Sequence, residues 1–409
     1  MTPTARALAL ITVATFALGA HAPARADAVT DWNARAAGFS VEGRIHPPHL
    51  ATSMMASVQS AVFAATNAIT KKYPASAMLD AAPGASVDAA VAAASRGVLV
   101  KYAPAAKEAI DRTYDAALAS IADGAAKTAG IDVGERAAAA VLALRAGDLS
   151  LPADQYRPVT TAGTYVPTVT PLATVWPQRK PWLMSSAAQF RPGPPPDLSS
   201  TIWARDYNEI KAVGARNSTT RTAEQTAIAK FWEATGNPIY HSIVRSLADR
   251  PGRDITQNAR LFAVVAQATD DALIAVMDAK YHYMFWRPLT AIRNGDIDGN
   301  DATERDPSWT PLIDTPMHPE YPCAHCILAG SVGAVLKAEI GSGVPGTLTS
   351  TNYLPGIAPR SWTSVDAMVD EVKNARIYDG VHYRNSTEVG AAMGRQIGEL
   401  AAAKFSLGK

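Results

Sequence analysis

Apolar residues recur at three- and four-residue intervals over 50–69, 87–102, 105–122 and 133–146, and proline or glycine interrupts the pattern at Pro74, Pro83-Gly84, Pro104, Gly124 and Gly130. That spacing gathers the apolar side chains into one stripe per helix, so each run predicts an amphipathic helix. Short breaks between consecutive helices favour antiparallel packing. The pattern stops between 152 and about 200, where Pro152, Pro158, Pro167, Pro171, Pro177 and Pro181 lead into Pro192-Gly193-Pro194-Pro195-Pro196. Proline at this density excludes long helices. Trp176, Trp182 and Phe190 in the same stretch argue for an ordered crossover packed on the surface. Helical spacing returns with Thr222-Ala223-Glu224-Gln225, a capping-box-like start, and continues over 254–285, 326–340 and 385–405, with a polar, turn-rich stretch at 294–306. No alternating strand pattern competes and no repeat is present, so the expected fold class is all-α, built of helical bundles.

The amino terminus reads differently. Arg6 precedes an apolar run from Ala7 to Ala20, followed by Ala22-Pro23-Ala24-Arg25-Ala26. This is the layout of an export signal, with cleavage expected after Ala26, and the run is short for a bilayer span. The expected organisation is therefore a signal at 1–26, an N-terminal helical region with the proline-rich crossover at 27–200, and a C-terminal helical bundle at 201–409. The mature chain is expected to be secreted or periplasmic, without stable membrane insertion. A composition of 48% apolar residues and a formal net charge of +1 fit a packed domain. They give no basic stripe for nucleic acid and no reason for disorder.

Three segments carry candidate chemistry. In the first, Lys280 and Arg287-Pro288 flank Tyr281-His282-Tyr283-Met284-Phe285-Trp286. On a continuous helix a spacing of seven is about two turns, which would project both cations from one face. Two charges among so many aromatic rings are costly unless an anion compensates them; the plainer alternative is a pair of cations snorkelling at a helix rim. In the second, the proline-rich loop Thr315-Pro316-Met317-His318-Pro319-Glu320-Tyr321-Pro322-Cys323-Ala324-His325-Cys326 runs into an apolar helix. The outward N–H groups of such a helix start attract anions, and His325 stands at that entry. In the third, Asp379-Gly380 breaks regular structure between Arg376 and His382, which could swing both toward one point. Asn385 and Glu388 resemble a capping box just after it.

Taken in order, these segments resemble the K-x6-RP, PSGH and SR-x5-H-x3-D pattern of the vanadium haloperoxidase and type 2 phosphatidic acid phosphatase superfamily, in its soluble haloperoxidase-like branch. Here it reads Lys280…Arg287-Pro288, then Pro322-Cys323-Ala324-His325, then Ala375-Arg376…His382…Ser386. The resemblance implies helical bundles with one oxyanion pocket that takes vanadate, or phosphate in its place. Lys280, Arg287 and Arg376 would neutralise the oxyanion, with Cys323 and the backbone of Ala324 beside it. His382 would be the metal ligand in a haloperoxidase or the nucleophile in a phosphatase, and His325 the acid/base. The implied partners are hydrogen peroxide, halide and a small organic acceptor, or a phosphomonoester in the alternative activity. A non-catalytic oxyanion-binding protein is a third reading, and a homo-oligomer is possible on any of them. His318 falls where related bromoperoxidases carry a histidine.

Three positions depart from the pattern. Cys323 replaces serine, Ala324 replaces glycine, and Ser386 replaces the aspartate that would orient the catalytic histidine; a serine could still hold the ring nitrogen. Cys323 and Cys326 are the chain's only cysteines. In an exported protein they could form a disulfide or remain two buried thiols. Asp296-x-Asp298-x-Asn300 lacks the later positions of a calcium loop and reads as a solvated turn. His46 and His49 around Pro47-Pro48 read as loop residues rather than metal ligands.

Overall fold

The computed structural model describes residues 27–42, 48–74, 79–80, 82–148, 150–234, 237–341 and 346–406. The expected export signal at 1–26 and His46 lie outside the described residues. The described chain is all-α apart from one small hairpin. An N-terminal group comprises α1 (Ala28–Glu42), α2 (Pro48–Thr70), α3 (Val87–Tyr102), α4 (Lys107–Ala119) and α5 (Ala125–Leu144). Next come α6 (Thr201–Val213), α7 (Ala223–Glu233), α8 (Asn237–Ala248), the long α9 (Ile255–Tyr283) and the short α10 (Pro288–Arg293). The last helices are α11 (Ala324–Ile340), α12 (Val365–Tyr378) and α13 (Arg384–Lys404).

Helix α9 is the axle of the molecule. It packs against α2 on one side and against α11 and α13 on the other. Its residues are buried nearly all round, which is what a helix central to two bundles requires. Asp254 starts it with a full capping box, its side chain accepting from the N–H groups of Thr256 and Gln257. The capping box expected at Thr222 is likewise formed, with Gln225.

The crossover between α5 and α6 has no α-helix, as its prolines dictate. What orders it is a pair of buried carboxylates on α9. Asp271 accepts three backbone N–H bonds from Trp182, Leu183 and Met184 at 2.6, 2.8 and 2.9 Å. Asp270 accepts from Arg179 and from the indole of Trp182, both at 2.8 Å. Backbone donors that no secondary structure satisfies are thus paired inside the core.

Burial pushes the Asp271 carboxyl from 3.8 up to about 6, against the lowering effect of its three backbone partners. Between those two pH values the unfolded chain has lost the proton and the folded chain keeps it. The stability the neutral acid contributes is therefore complete below about pH 4 and lost as pH rises through 6. The stability lead of the wild type over Asp271→Asn is expected to shrink by about 2–3 kcal/mol between pH 4 and pH 7. Urea unfolding of both proteins at the two pH values measures it; a constant or growing difference would contradict the assignment.

Several sequence expectations need correction. Helix α5 begins at Ala125, not near 133, and runs through Gly130. A Cβ at Gly130 would stand 2.3 Å from the Ser86 carbonyl oxygen, so this glycine permits close helix packing and does not end a helix. His49 lies in α2 and is buried, not in a loop. Asp298 is buried too: it accepts from the Trp203 indole at 2.8 Å and the Thr303 hydroxyl at 2.7 Å, so its turn is a structural one and not a solvated one. Asn385 does not cap the last helix. Tyr383 is the N-cap, without a side-chain bond, and the Asn385 N–H is taken by Asp206 of α6 at 2.7 Å. Strands β1 (Leu348–Ser350) and β2 (Arg360–Trp362) pair antiparallel. Three residues each is too short for alternation to be seen.

Candidate active site

The first segment is not one continuous helix. Helix α9 ends at Tyr283, and Met284 takes a left-handed conformation with φ 53 while its N–H closes on Lys280 O at 2.8 Å. The chain then turns so that Arg287 is the N-cap of α10. Lys280 and Arg287 do not share a helix face, contrary to the spacing argument. They meet because the turn folds back against the proline-rich loop. Lys280 Nζ donates to the carbonyls of Pro319 and Glu320, both at 2.8 Å. Arg287 Nε donates to His318 O at 2.9 Å, and its terminal nitrogens reach Val381 O at 2.8 Å, His318 Nδ1 at 2.9 Å and His382 Nε2 at 3.2 Å.

The third segment behaves as its Asp379-Gly380 break suggested. Helix α12 ends at Tyr378 and Gly380 has φ +81, a conformation that glycine adopts without strain. The N–H groups of Val381 and His382 both return to Arg376 O. His382 thereby lands beside Arg287. Arg376 is held by Asp379 and by Trp232 O at 3.1 Å.

His382 is the centre of the arrangement. Its Nδ1 lies 2.9 Å from Glu320 Oε1, which also accepts from the Tyr383 N–H at 3.0 Å. An arginine can only donate, so His382 Nε2, facing Arg287, is an acceptor. The ring is then the neutral tautomer that donates from Nδ1 to Glu320 and keeps a lone pair on Nε2. Burial, with Arg287 and Lys280 nearby, holds its pKa well below the usual histidine value. The orienting partner is thus Glu320, not Ser386. The Ser386 hydroxyl is buried without a hydrogen-bond partner and makes no contact with the ring nitrogen. Sequence reasoning passed over Glu320, although an acidic residue in the apolar run Pro319-Glu320-Tyr321-Pro322 was a visible signal. Asp379 was read only as a helix breaker and proves to be the partner of Arg376.

Helix α11 starts at Ala324 with Cys323 as N-cap. Cys323 and Cys326 are joined in a disulfide, and Cys323 Sγ accepts from the Cys326 N–H at 3.2 Å. Cys323 therefore has no thiol proton to offer an anion. The His325 ring rests neutral: burial and then Arg376 hold its pKa well below normal, while the Ala234 carbonyl accepts from the ring. Its Nε2 is buried without a partner, which leaves the Ala234 bond to Nδ1.

Charge completes the picture. Lys280, Arg287 and Arg376 are all at most 1% exposed. Burial lowers Lys280 well below its ordinary pKa and Arg287 to about 10. Of the two buried carboxylates, burial raises Glu320 and Asp379 each to about 7. Three cations against two reluctant anions leave a positive surplus, which a bound oxyanion would neutralise. Arg376 Nε and His325 Nε2 are buried polar atoms with no partner, as expected of groups that await one. Ala324, His325, Arg376, His382 and His318 line a single cavity of about 670 Å3. His49 and Thr52 of α2 line it as well, so the N-terminal helices contribute a wall. These residues fit vanadate or phosphate, and His382 Nε2, whose lone pair faces Arg287, is the nitrogen that would bond the central atom.

Residues 260–407 match the family model described as the VCPO second helical-bundle domain. The vanadium chloroperoxidase of Curvularia inaequalis is 29% identical over 37% of this chain, and the match spans 30% of that relative's length. Among solved structures, one described as the first bacterial vanadium-dependent iodoperoxidase superposes with a TM-score of 0.78 at 22% identity, covering 92% of this chain and 95% of the other. An apo-type bacterial vanadium-dependent chloroperoxidase gives 0.72 at 16% identity, covering 88% and 93%. The fold is shared along most of the chain, and the stretch that matches the VCPO second helical-bundle domain is the one that holds all three motif segments.

Proposed function

We propose that this protein is a vanadate-dependent haloperoxidase that oxidises halide with hydrogen peroxide. The observation that carries the reading is the buried His382 Nε2 lone pair, fixed by Glu320 on the far side of the ring and set among three buried cations. Vanadate bound there supplies a Lewis-acidic centre that activates peroxide toward a halide. The chain's own groups do the rest. Glu320 selects the tautomer and aims Nε2, as outer-shell carboxylates do for metal-bound imidazoles. Lys280, Arg287, Arg376 and the Ala324 N–H offset the oxyanion's charge in a site shielded from water. His325, neutral and with Nε2 bare, takes the proton that peroxide gives up and is placed to return one to the departing oxygen.

We also infer export: the signal-like first 26 residues suit a secreted or periplasmic enzyme. Among the described residues no helix is long and apolar enough to cross a membrane.

The test is a peroxidase assay with iodide, bromide and chloride, with and without vanadate, run beside a phosphomonoester assay. Halide-dependent peroxide consumption that needs vanadate and is inhibited by phosphate is expected. Ester hydrolysis inhibited by vanadate, with no peroxidase activity, would transfer the same pocket to the phosphatase reading.

A further inference from the structure

The cavity that ends at His382 is much larger than an oxyanion needs. About 670 Å3 is the size of a pocket for a drug-sized organic molecule. Its walls are largely apolar, with Leu172, Leu273, Met277, Leu289, Ile313 and Leu328 among the lining residues. Two arginines outside the oxyanion site, Arg216 and Arg293, line it too.

Each of these arginines is anchored in the same way. Arg293 Nε donates to Trp309 O at 2.8 Å and Arg216 Nε to Pro311 O at 3.3 Å, carbonyls two residues apart on one segment. Among the described residues, no hydrogen bond or ion pair occupies the terminal nitrogens of either fork. Of the carboxylates on the same cavity, Glu233 is paired with Lys230 at 3.1 Å. Asp314 is exposed and is not within ion-pair distance of either arginine. The arginine-bearing segment adjoins the turn that carries His382. Arg216 N donates to Thr310 O at 2.8 Å, Leu312 N to Gly214 O at 3.1 Å, and Ile313 N to Asp379 O at 3.4 Å.

We propose that this cavity binds an organic acid, with an apolar body against the leucine-rich wall and a carboxylate head held by Arg216 and Arg293. Paired N–H donors of a guanidinium fork match the two oxygens of a carboxylate. The apolar body gains by leaving water, and the head keeps its charge at the half-exposed rim. Resting on the haloperoxidase reading, this molecule is the acceptor, oriented so that its body lies between the arginines and His382.

The experiment is calorimetric binding of 4-phenylbutyrate and of 4-phenylbutyramide to the full chain saturated with vanadate, without peroxide or halide. The acid is expected to bind roughly tenfold or more tightly than the amide, from charge-assisted hydrogen bonds. Arg216→Gln and Arg293→Gln should each weaken the acid by roughly tenfold and leave the amide unchanged. Unchanged vanadate affinity in both variants shows that they fold. The proposal is overturned if the acid does not bind, if acid and amide bind alike, if neither substitution matters, or if the acid binds only when vanadate is left out, which would put it in the oxyanion site. Because no turnover is measured, loss of this proposal leaves the peroxidase assay untouched, and a failed peroxidase assay leaves the acid-binding result standing.

Discussion

His382→Ala is expected to abolish vanadate binding and vanadate-dependent turnover together. His382 Nε2 turns its lone pair toward Arg287 with the Glu320 carboxylate fixing the other side of the ring, whereas His318 Nδ1 is taken by Arg287 and the His325 ring has only the Ala234 carbonyl behind it. Removing the ring also leaves Glu320 facing Arg287 and Lys280 without its intermediary, so the fold should survive on ion pairing between them. The control is His325→Ala. It should lower turnover by about 10²–10⁴-fold, the usual worth of a positioned acid/base, and change vanadate affinity only slightly. Calorimetric titration with vanadate, alongside steady-state rates, separates the two. Unaltered affinity in His382→Ala would show that the ligand has been assigned to the wrong residue.

Glu320→Gln is expected to weaken vanadate binding or turnover by about 10–100-fold, the range found for outer-shell partners of metal-bound histidines. The amide removes a buried negative charge between Lys280 and Arg287, and it can present N–H instead of oxygen to His382 Nδ1. The second effect would favour the wrong tautomer. The decisive readout is a partial rescue. Ser386 is buried beside Glu320 and occupies the position of the family's aspartate. Adding Ser386→Asp to Glu320→Gln supplies a carboxylate next to the one removed and should recover part of the lost affinity. A purely structural role for Glu320 predicts lower thermal stability with no such recovery, and an unchanged vanadate affinity in the single variant would refute a positioning role outright.

The sequence by itself determined the helical class, the ordered yet helix-free crossover, and the three segments that meet at the candidate site. Each is local information: the 3.6-residue apolar period, proline's missing N–H, and fixed spacings around Lys280, His325 and His382. The Asp379-Gly380 break was legible for the same reason, since a glycine at positive φ is a property of one residue. What brings Arg287 beside His382 was not legible. A helix that stops at Tyr283 in a left-handed Met284 is indistinguishable by pattern from one that runs on, because aromatic residues suit either course. The short strands and α6, α8, α10 and α12 gave too little periodic signal for their length. Glu320 was hidden for a deeper reason. A carboxylate orients an imidazole by position in space, and Glu320 lies 62 residues from His382 in sequence, where the familiar pattern places the partner only four away. Only tertiary packing decided that the loop before α11 would carry this carboxylate into the core, where burial makes its charge costly and its pairing with His382 and the cations correspondingly firm.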